Sequence, residues 1–366
     1  MPASHIFSAI GAISGTSMDG IDVAWIETDG LGHVTPRGGG TFEYPAALRA
    51  QLLAFLANPS RAEHEPLADL EAAVTAAFGD AIAAFMQRDK VPAGSVDLIG
   101  LHGQTIYHRP EKRFTRQLGD GGQLARRFGI ATVDGFRLAD VAAGGQGAPL
   151  IPLYHAALAA KLAQPLIVLN LGGVGNVTYL DDDSIIAFDT GPASALIDDC
   201  VRRRFGVPFD DGGRLALRGV VDQGVLKQLL AAPFFALVPP KSLDRNDFHA
   251  RAKIVDPLAD HDAVATLAAF TIEATVAALS HVPQKPVRWL VGGGGRRNAV
   301  FMAGIEARLG VPVAPVETVG WDGDLLEAEC FAYLAARTVL GLPLSLPATT
   351  GVPHPMAGGR VWPASP

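Results

Sequence analysis

Gly11-Ala-Ile-Ser-Gly-Thr-Ser-Met-Asp-Gly-Ile-Asp22 lies between two apolar runs, residues 6–10 and 23–26. Short apolar runs around a small, hydroxylated, Gly-containing turn predict a β-hairpin. Backbone N–H groups of such a turn can converge on an anion, and Ser14, Thr16 and Ser17 add hydroxyl donors. Asp19 and Asp22 can hold a hydrated Mg²⁺, which prefers carboxylates and water. This combination suits the phosphates of ATP. The plainer alternative is an ordinary hairpin with polar tips.

The same design recurs. An apolar run at residues 166–171 leads into Gly172-Gly-Val-Gly-Asn176 and a second run at 177–180. Two such hairpins in successive halves predict two similar α/β domains closing on one ligand, each with a phosphate-binding turn. Farther on, a strand at 287–291 runs into Gly292-Gly-Gly-Gly295, and Arg296, Arg297 and Asn298 open a helix reaching 309. Glycines there let a nucleoside and its α-phosphate approach the backbone at a helix N-terminus, with Asn298 offering hydrogen bonds. A tight strand-to-helix turn is the alternative.

With 366 residues, the chain exceeds what one core normally holds, so two domains are expected: 1–140, completed by 341–366, and 141–340. Apolar content of 49% and charged content of 18% fit a globular enzyme and exclude a disordered chain. A net charge of −7 argues against a nucleic-acid partner. The N-terminus lacks a basic signal-peptide region, and the apolar segment 263–279 is too short to span a bilayer, so no membrane partner is expected. Cys200 and Cys330, far apart, offer neither a disulfide framework nor a zinc site and read as small buried hydrophobes. A cytoplasmic protein is expected.

Apolar spacing at Leu67, Leu70, Val74, Phe78, Ile82 and Phe85 predicts a helix over 66–86. A buried strand at 96–101 is expected to end in His102-Gly-Gln-Thr105. Residues 185–188 lead into Asp189-Thr-Gly-Pro192 and a helix over 193–205; 263–279 and 325–340 are further helices. The Gly/Pro-rich stretch 143–152 is the expected hinge.

The chain has no Gly-x-x-x-x-Gly-Lys-Ser/Thr, no Gly-x-Gly-x-x-Gly after a strand, no Gly-x-Ser-x-Gly and no His-Glu-x-x-His. Phosphoryl transfer without a P-loop remains. Asp189, in a turn before a helix, suits a general base, with a helix N-cap as the alternative. Glu327 opens the last helix, where the helix dipole also favours a carboxylate. Arg137 can meet a carboxylate bidentately, or make a surface ion pair. His102 and Gln104 suit hydrogen bonding to a polyol, or loop capping.

Together these motifs resemble the anhydro-N-acetylmuramic acid kinase family. The resemblance rests on Ser14–Asp22, Leu101–Thr105, Gln117-Leu-Gly-Asp120, Gly144-Gly-Gln-Gly-Ala-Pro149, Phe188–Pro192, Gly292–Gly295 and Leu326-Glu-Ala328, and it runs along essentially the whole chain in order. It implies two ribonuclease-H-like domains of the actin/hexokinase/Hsp70 superfamily, with ATP and Mg²⁺ in an interdomain cleft. The implied reaction opens the 1,6-anhydro bridge of 1,6-anhydro-N-acetylmuramic acid with water and phosphorylates O6. By motif, Asp189 would activate the water and Glu327 would help position it. His102, Gln104, Thr105, Asp120 and Arg137 would hold the sugar, with Arg137 on its lactyl carboxylate. Gly15, Thr16, Ser17, Met18, Asp19, Gly20, Ile21, Asp22, Gly172, Gly173, Asn176, Gly292, Gly293, Gly294, Gly295 and Asn298 would bind ATP, with Asp19 holding the metal through water. One departure is visible: Gly135 stands directly before Phe136-Arg137, where the family has Asp, and Asp134 lies one residue earlier. A homodimer is compatible with this reading. A plain sugar kinase, or a non-enzymatic ATP-gated module, would share most of the nucleotide motifs.

Overall fold

The computed structural model describes residues 5–15, 18–182, 184–243 and 247–364. The chain divides into two compact units, Met1–Lys161 with Leu325–Pro366, and Leu162–Asp324. Both are mixed α/β.

In the first unit, β1 (Phe7–Ser14), β2 (Ile21–Thr28) and β3 (Val34–Phe42) form an antiparallel meander. On the other side of β1, β4 (Leu98–Arg109) pairs parallel, with β5 (Phe114–Leu118) antiparallel to it and β6 (Ala131–Asp134) parallel. Parallel neighbours need crossover connections. The helix Ala68–Arg88 provides one, burying Val74, Phe78, Ile82 and Phe85 as a stripe against Ile10, Ile21 and Ile99.

The second unit repeats this plan. Strands β7 (Leu166–Leu171), β8 (Val174–Asp181) and β9 (Ser184–Pro192) form the meander, and β10 (Arg288–Gly292) and β11 (Val313–Pro315) join β7 in parallel. The order β3-β2-β1-β4-β6 in one sheet corresponds to β9-β8-β7-β10-β11 in the other. The paired hairpins are thus the first hairpins of two like folds. A short strand near the C-terminus, β12 (Arg360–Trp362), closes the first sheet beside β6.

The helix Leu326–Val339 packs on β1, β2 and β4 and belongs to the first unit, although local pattern grouped it with the second half of the chain. Its seat depends on two glycines. A Cβ on Gly11 would lie 1.9 Å from the Ala328 carbonyl oxygen, and one on Gly100 would lie 2.1 Å from that of Phe331. Fully buried Ala328, Ala332, Ala335 and Ala336 complete a flat face that rests directly on the strands.

In the second unit, Ile167, Leu169, Leu171, Val177 and Phe188 meet Leu196, Val201, Val264, Leu267 and Phe301 from the covering helices. The apolar segment expected to be too short to span a bilayer in fact extends over Asp260–His281, long and apolar enough to cross a membrane, and 67% of its most apolar 18-residue stretch is buried in this unit. Cys200 and Cys330 are buried free thiols.

Candidate functional site

The β1–β2 turn is braced from beneath. Its Gly15 carbonyl accepts from the Met18 N–H at 3.1 Å and from Gln104 Nε2 at 3.3 Å. Met18 has φ 54° and buries its side chain in the first core, while Arg49 Nε donates to its carbonyl at 2.9 Å. Asp19 is largely exposed and lies 3.7 Å from Arg49. Gly20 fits closely beneath Thr41, Ile21 is buried, and Asp22 accepts from the Thr41 hydroxyl at 2.6 Å. Thr16 and Ser17 lie outside the described residues. Two members of the turn, Met18 and Ile21, therefore face the core, and the Met18 N–H is turned inward.

The His102–Thr105 motif is not a strand end. Strand β4 continues to Arg109, and the register against β1 slips between Ala12 and Ile13, so that Ala12 faces Leu101 and Ile13 faces Gly103. His102 is the extra residue of a β-bulge, and Gly103, at φ 77°, makes the kink possible. Its imidazole Nδ1 donates to the Gly103 carbonyl at 3.0 Å, and its Nε2 accepts from Arg137 Nε at 2.8 Å. Burial, reinforced by the Arg137 charge, keeps His102 well below the usual histidine range and therefore neutral. Arg137 Nη1 also holds the Gly147 carbonyl at 2.6 Å. Its Nη2 makes no hydrogen bond among the described residues, leaving an edge of the guanidinium for a carboxylate. The buried Gln104 bonds Tyr44, Gly15 and Thr105, and the Thr105 hydroxyl accepts from Gln117. The structure thus connects Gly15, Gln104, Thr105, His102 and Arg137 through the β4 segment.

Asp120 and Asp134 have structural partners. Asp120 caps the helix Gly121–Phe128 by accepting from the Gln123 N–H at 3.1 Å. Asp134 is buried and accepts from Gly121, from Arg360 through two nitrogens and from Trp362, which ties β12 to β6. Gly135 follows at φ 67°, the conformation that starts the turn into Arg137. Glu327, in the first turn of Leu326–Val339, is solvent-accessible, yet the protein around it pushes its carboxyl up. Arg137 opposes that shift and Asp22 adds to it.

In the second unit the hairpin turn is only Gly172 and Gly173, since Gly175 and Asn176 already belong to β8. The Gly172 carbonyl accepts from the Ser194 N–H and hydroxyl, and that of Gly173 from the Ala193 and Ala195 N–H groups. These carbonyls cap the helix Ser194–Phe205. Because trans peptides oppose their C=O and N–H, the Gly173 N–H points away from that helix.

Asp189 is not an N-cap. It sits inside β9, and the helix starts after Ala193. Its N–H donates to the Lys241 carbonyl at 3.0 Å, and its Oδ2 accepts from the Leu243 N–H at 2.7 Å. Desolvation pushes its carboxyl up to about 7, against the opposing pulls of that N–H and of Lys241. A carboxyl titrating there suits a base at neutral pH. Pairing places Asn170, Asn176 and Asp189 side by side across β7, β8 and β9, with Gly292 on the far side of Asn170. Neither carboxamide has a hydrogen-bond partner among the described residues, and both are half-buried. Asn170 was missed in the sequence because only strand register reveals it as a neighbour of Asn176.

The glycine run has two uses. A Cβ on Gly293, at φ 71°, would meet Asn170 Oδ1 at 2.3 Å, and one on Gly295 would meet Leu171 Cβ at 2.6 Å. These two allow the turn to pass over the end of β7, whereas a Cβ on Gly294 meets nothing. Asn298 spends its Oδ1 capping the helix Ala299–Leu309. Buried Arg296 stiffens the turn through the Gly293 carbonyl, Glu317 and Asp324. No cluster of three metal-ligating side chains occurs among the described residues. Mg²⁺ commonly takes only one or two carboxylates and completes its shell with water and phosphate, and the exposed Asp19 offers one such carboxylate.

The family model described as "Anhydro-N-acetylmuramic acid kinase" matches residues 7–364. A protein of that name from Rhodospirillum rubrum is 49% identical over 98% of this chain and 94% of its own length. One from Rhodopseudomonas palustris is 48% identical over 97% of this chain and 98% of its own. A ROK family glucokinase from Streptomyces griseus, solved in complex with glucose and AMPPNP, superposes at a TM-score of 0.39 with 14% identity, covering 90% of this chain and 99% of that one, a likeness too loose to bear on function.

Proposed function

The chain belongs to the anhydro-N-acetylmuramic acid kinase family, and from that premise we propose that it converts 1,6-anhydro-N-acetylmuramic acid, water and ATP to N-acetylmuramic acid 6-phosphate and ADP. The observation that best supports the hydrolytic half is Asp189, half-buried, fixed by the Leu243 N–H and titrating near 7. In this reading its carboxylate takes a proton from water as the water oxygen bonds to C1. The C1–O6 bond breaks with its electrons passing to O6. That oxygen then bonds to the γ-phosphorus, and the bond to the bridging oxygen breaks to release ADP.

Arg137 would bind the lactyl carboxylate with the guanidinium edge left open, while neutral His102 holds Nε in place. Thr105 and Asp120 would meet the sugar's other polar groups, with buried Gln104 bracing Thr105 and the β1–β2 turn from within, and Glu327 would orient the water. The β1–β2 turn, Gly172, Gly173, Asn176 and the glycine run would carry ATP. Asp19 and Asp22 would hold Mg²⁺, largely through water, and the ion would neutralise charge on the phosphates. Dependence on ATP favours a cytoplasmic reaction.

The deciding experiment supplies ATP and the anhydro-sugar and weighs the product. Gain of both water and a phosphoryl group supports the proposal. Gain of phosphate without water would make the protein a plain sugar kinase, and no sugar phosphate at all would make it a nucleotide-gated module.

A further inference from the structure

Resting on the reading of Asp189 as the base, we infer that Lys241 is a positioning residue, whose buried ammonium pins the segment 241–243 against β9 and so holds the Leu243 N–H on the Asp189 carboxylate. Lys241 is only 8% exposed, a rare state for a lysine. Among the described residues no carboxylate lies within ion-pair distance of it. Its Nζ instead donates to the Phe234 carbonyl at 3.3 Å and faces His281 Nε2 at 3.5 Å. The rings of Phe234 and Phe188 lie 4.7 Å and 5.9 Å from the ammonium, and His281 stands edge-on to Phe188.

The segment then meets Asp189 twice. The Lys241 carbonyl receives the Asp189 N–H, and two residues later the Leu243 N–H reaches Asp189 Oδ2. Both the main chain and the side chain of Asp189 are therefore held by one three-residue segment, which the ammonium anchors from beneath. Burying a cation without an ion pair is costly, and packing alone is served better by methionine or leucine. The charge has an electrostatic use: it favours the ionised form of Asp189, the form a base needs. Among the described residues, Lys241 is the titratable group acting on Asp189, and Asp189 and His281 are those facing Lys241.

The test is the pH profile of kcat/KM for Lys241→Met and Lys241→Arg, with the full chain, ATP and the anhydro-sugar. Removing the charge leaves Asp189 harder to ionise, so the acidic limb in Lys241→Met is expected to move up by about one pH unit. kcat at pH 7 should fall while KM for both substrates stays. Lys241→Arg should return the limb to the wild-type position. A fall in rate with no movement of the limb would reduce Lys241 to a packing role and overturn the inference. If Lys241→Met fails to fold by circular dichroism, His281→Leu loosens the same ammonium and should move the limb in the same direction; an unmoved limb there overturns it equally. Should Asp189→Asn keep wild-type turnover, it is the assignment of the base that fails, a result separable from either outcome at Lys241.

Discussion

Arg137 Nε points its hydrogen at His102 Nε2 over 2.8 Å, and His102 Nδ1 in turn donates to the Gly103 carbonyl, so the guanidinium fixes the tautomer of a neutral imidazole. The pair works as one rigid fork whose remaining nitrogen, Nη2, has no hydrogen-bond partner among the described residues. Arg137→Ala should raise KM for the muramic sugar roughly 10–100-fold, the range for losing hydrogen bonds to a charged group. KM for ATP should not change. An anhydro-sugar lacking the lactyl group should be nearly indifferent to the substitution; equal losses on both sugars would remove Arg137 from carboxylate recognition.

Asp189→Asn keeps the shape and the acceptor for the Leu243 N–H but cannot take a proton. Turnover should drop by about 10²–10⁴-fold with ATP affinity intact, measured by steady-state kinetics beside nucleotide titration. Activity within a few-fold of wild type would end the case for Asp189 as base.

The same carboxyl ties stability to pH. Its folded value of about 7 lies above the 3.8 of an unperturbed aspartate, so the folded state binds the proton more tightly. Stability from this group is therefore full below about pH 4 and is lost as pH rises through about 7. Asp189→Asn should escape that loss, so the Tm difference between variant and wild type should grow in the variant's favour from pH 5 to pH 8. A difference independent of pH would show that the carboxyl is not desolvated.

Gly11→Ala places a methyl 1.9 Å from the Ala328 carbonyl oxygen, and both partners are backbone. Neither can yield by changing a rotamer. The substitution should cost about 3 kcal/mol or more in urea unfolding and lower activity by displacing Glu327. Stability within about 0.5 kcal/mol of wild type would show that the helix does not lie on β1 as described.

Much of this fold was readable from local pattern. The strand 166–171 and the helices at 66–86, 193–205 and 325–340 fall within about two residues of the elements found, because each has a strong period or an apolar run bounded by glycine or proline. The membership of Leu326–Val339 was not readable. Its fit depends on Gly11 and Gly100 matching Ala328 and Phe331 far along the chain, and no local window contains both sides. The bulge at His102 was likewise hidden: Gly103 looks like a strand terminator until β1 and β5 are seen pairing on either side of it. Among the candidate site residues, Asp189, Arg137 and His102 stand out in the sequence by type and position. Asn170, Lys241 and the latch at Asp134 emerge only from strand register and burial.

The latch makes its own prediction. Asp134→Ala leaves Arg360 exposed to water but strips the Gly121 N–H and the Trp362 indole of their acceptor. About 2–3 kcal/mol of stability should be lost, with early protease cleavage near residues 355–364. Arg360→Ala should cost less, since the carboxylate keeps two donors. The reverse order would place the strength of the latch in the ion pair.

Leu162–Asp324 is inserted within the first unit, whose helix Leu326–Val339 and strand β12 are translated last. On the ribosome, the inserted unit emerges whole while its host still lacks the helix that covers β1 and β4. Gly11 and Gly100 then lie on a strip of sheet without its covering helix for as long as some 160 residues take to synthesise, roughly 10–30 s at ordinary rates of translation. The first unit can therefore complete the cover of its sheet only after the whole inserted unit has been synthesised.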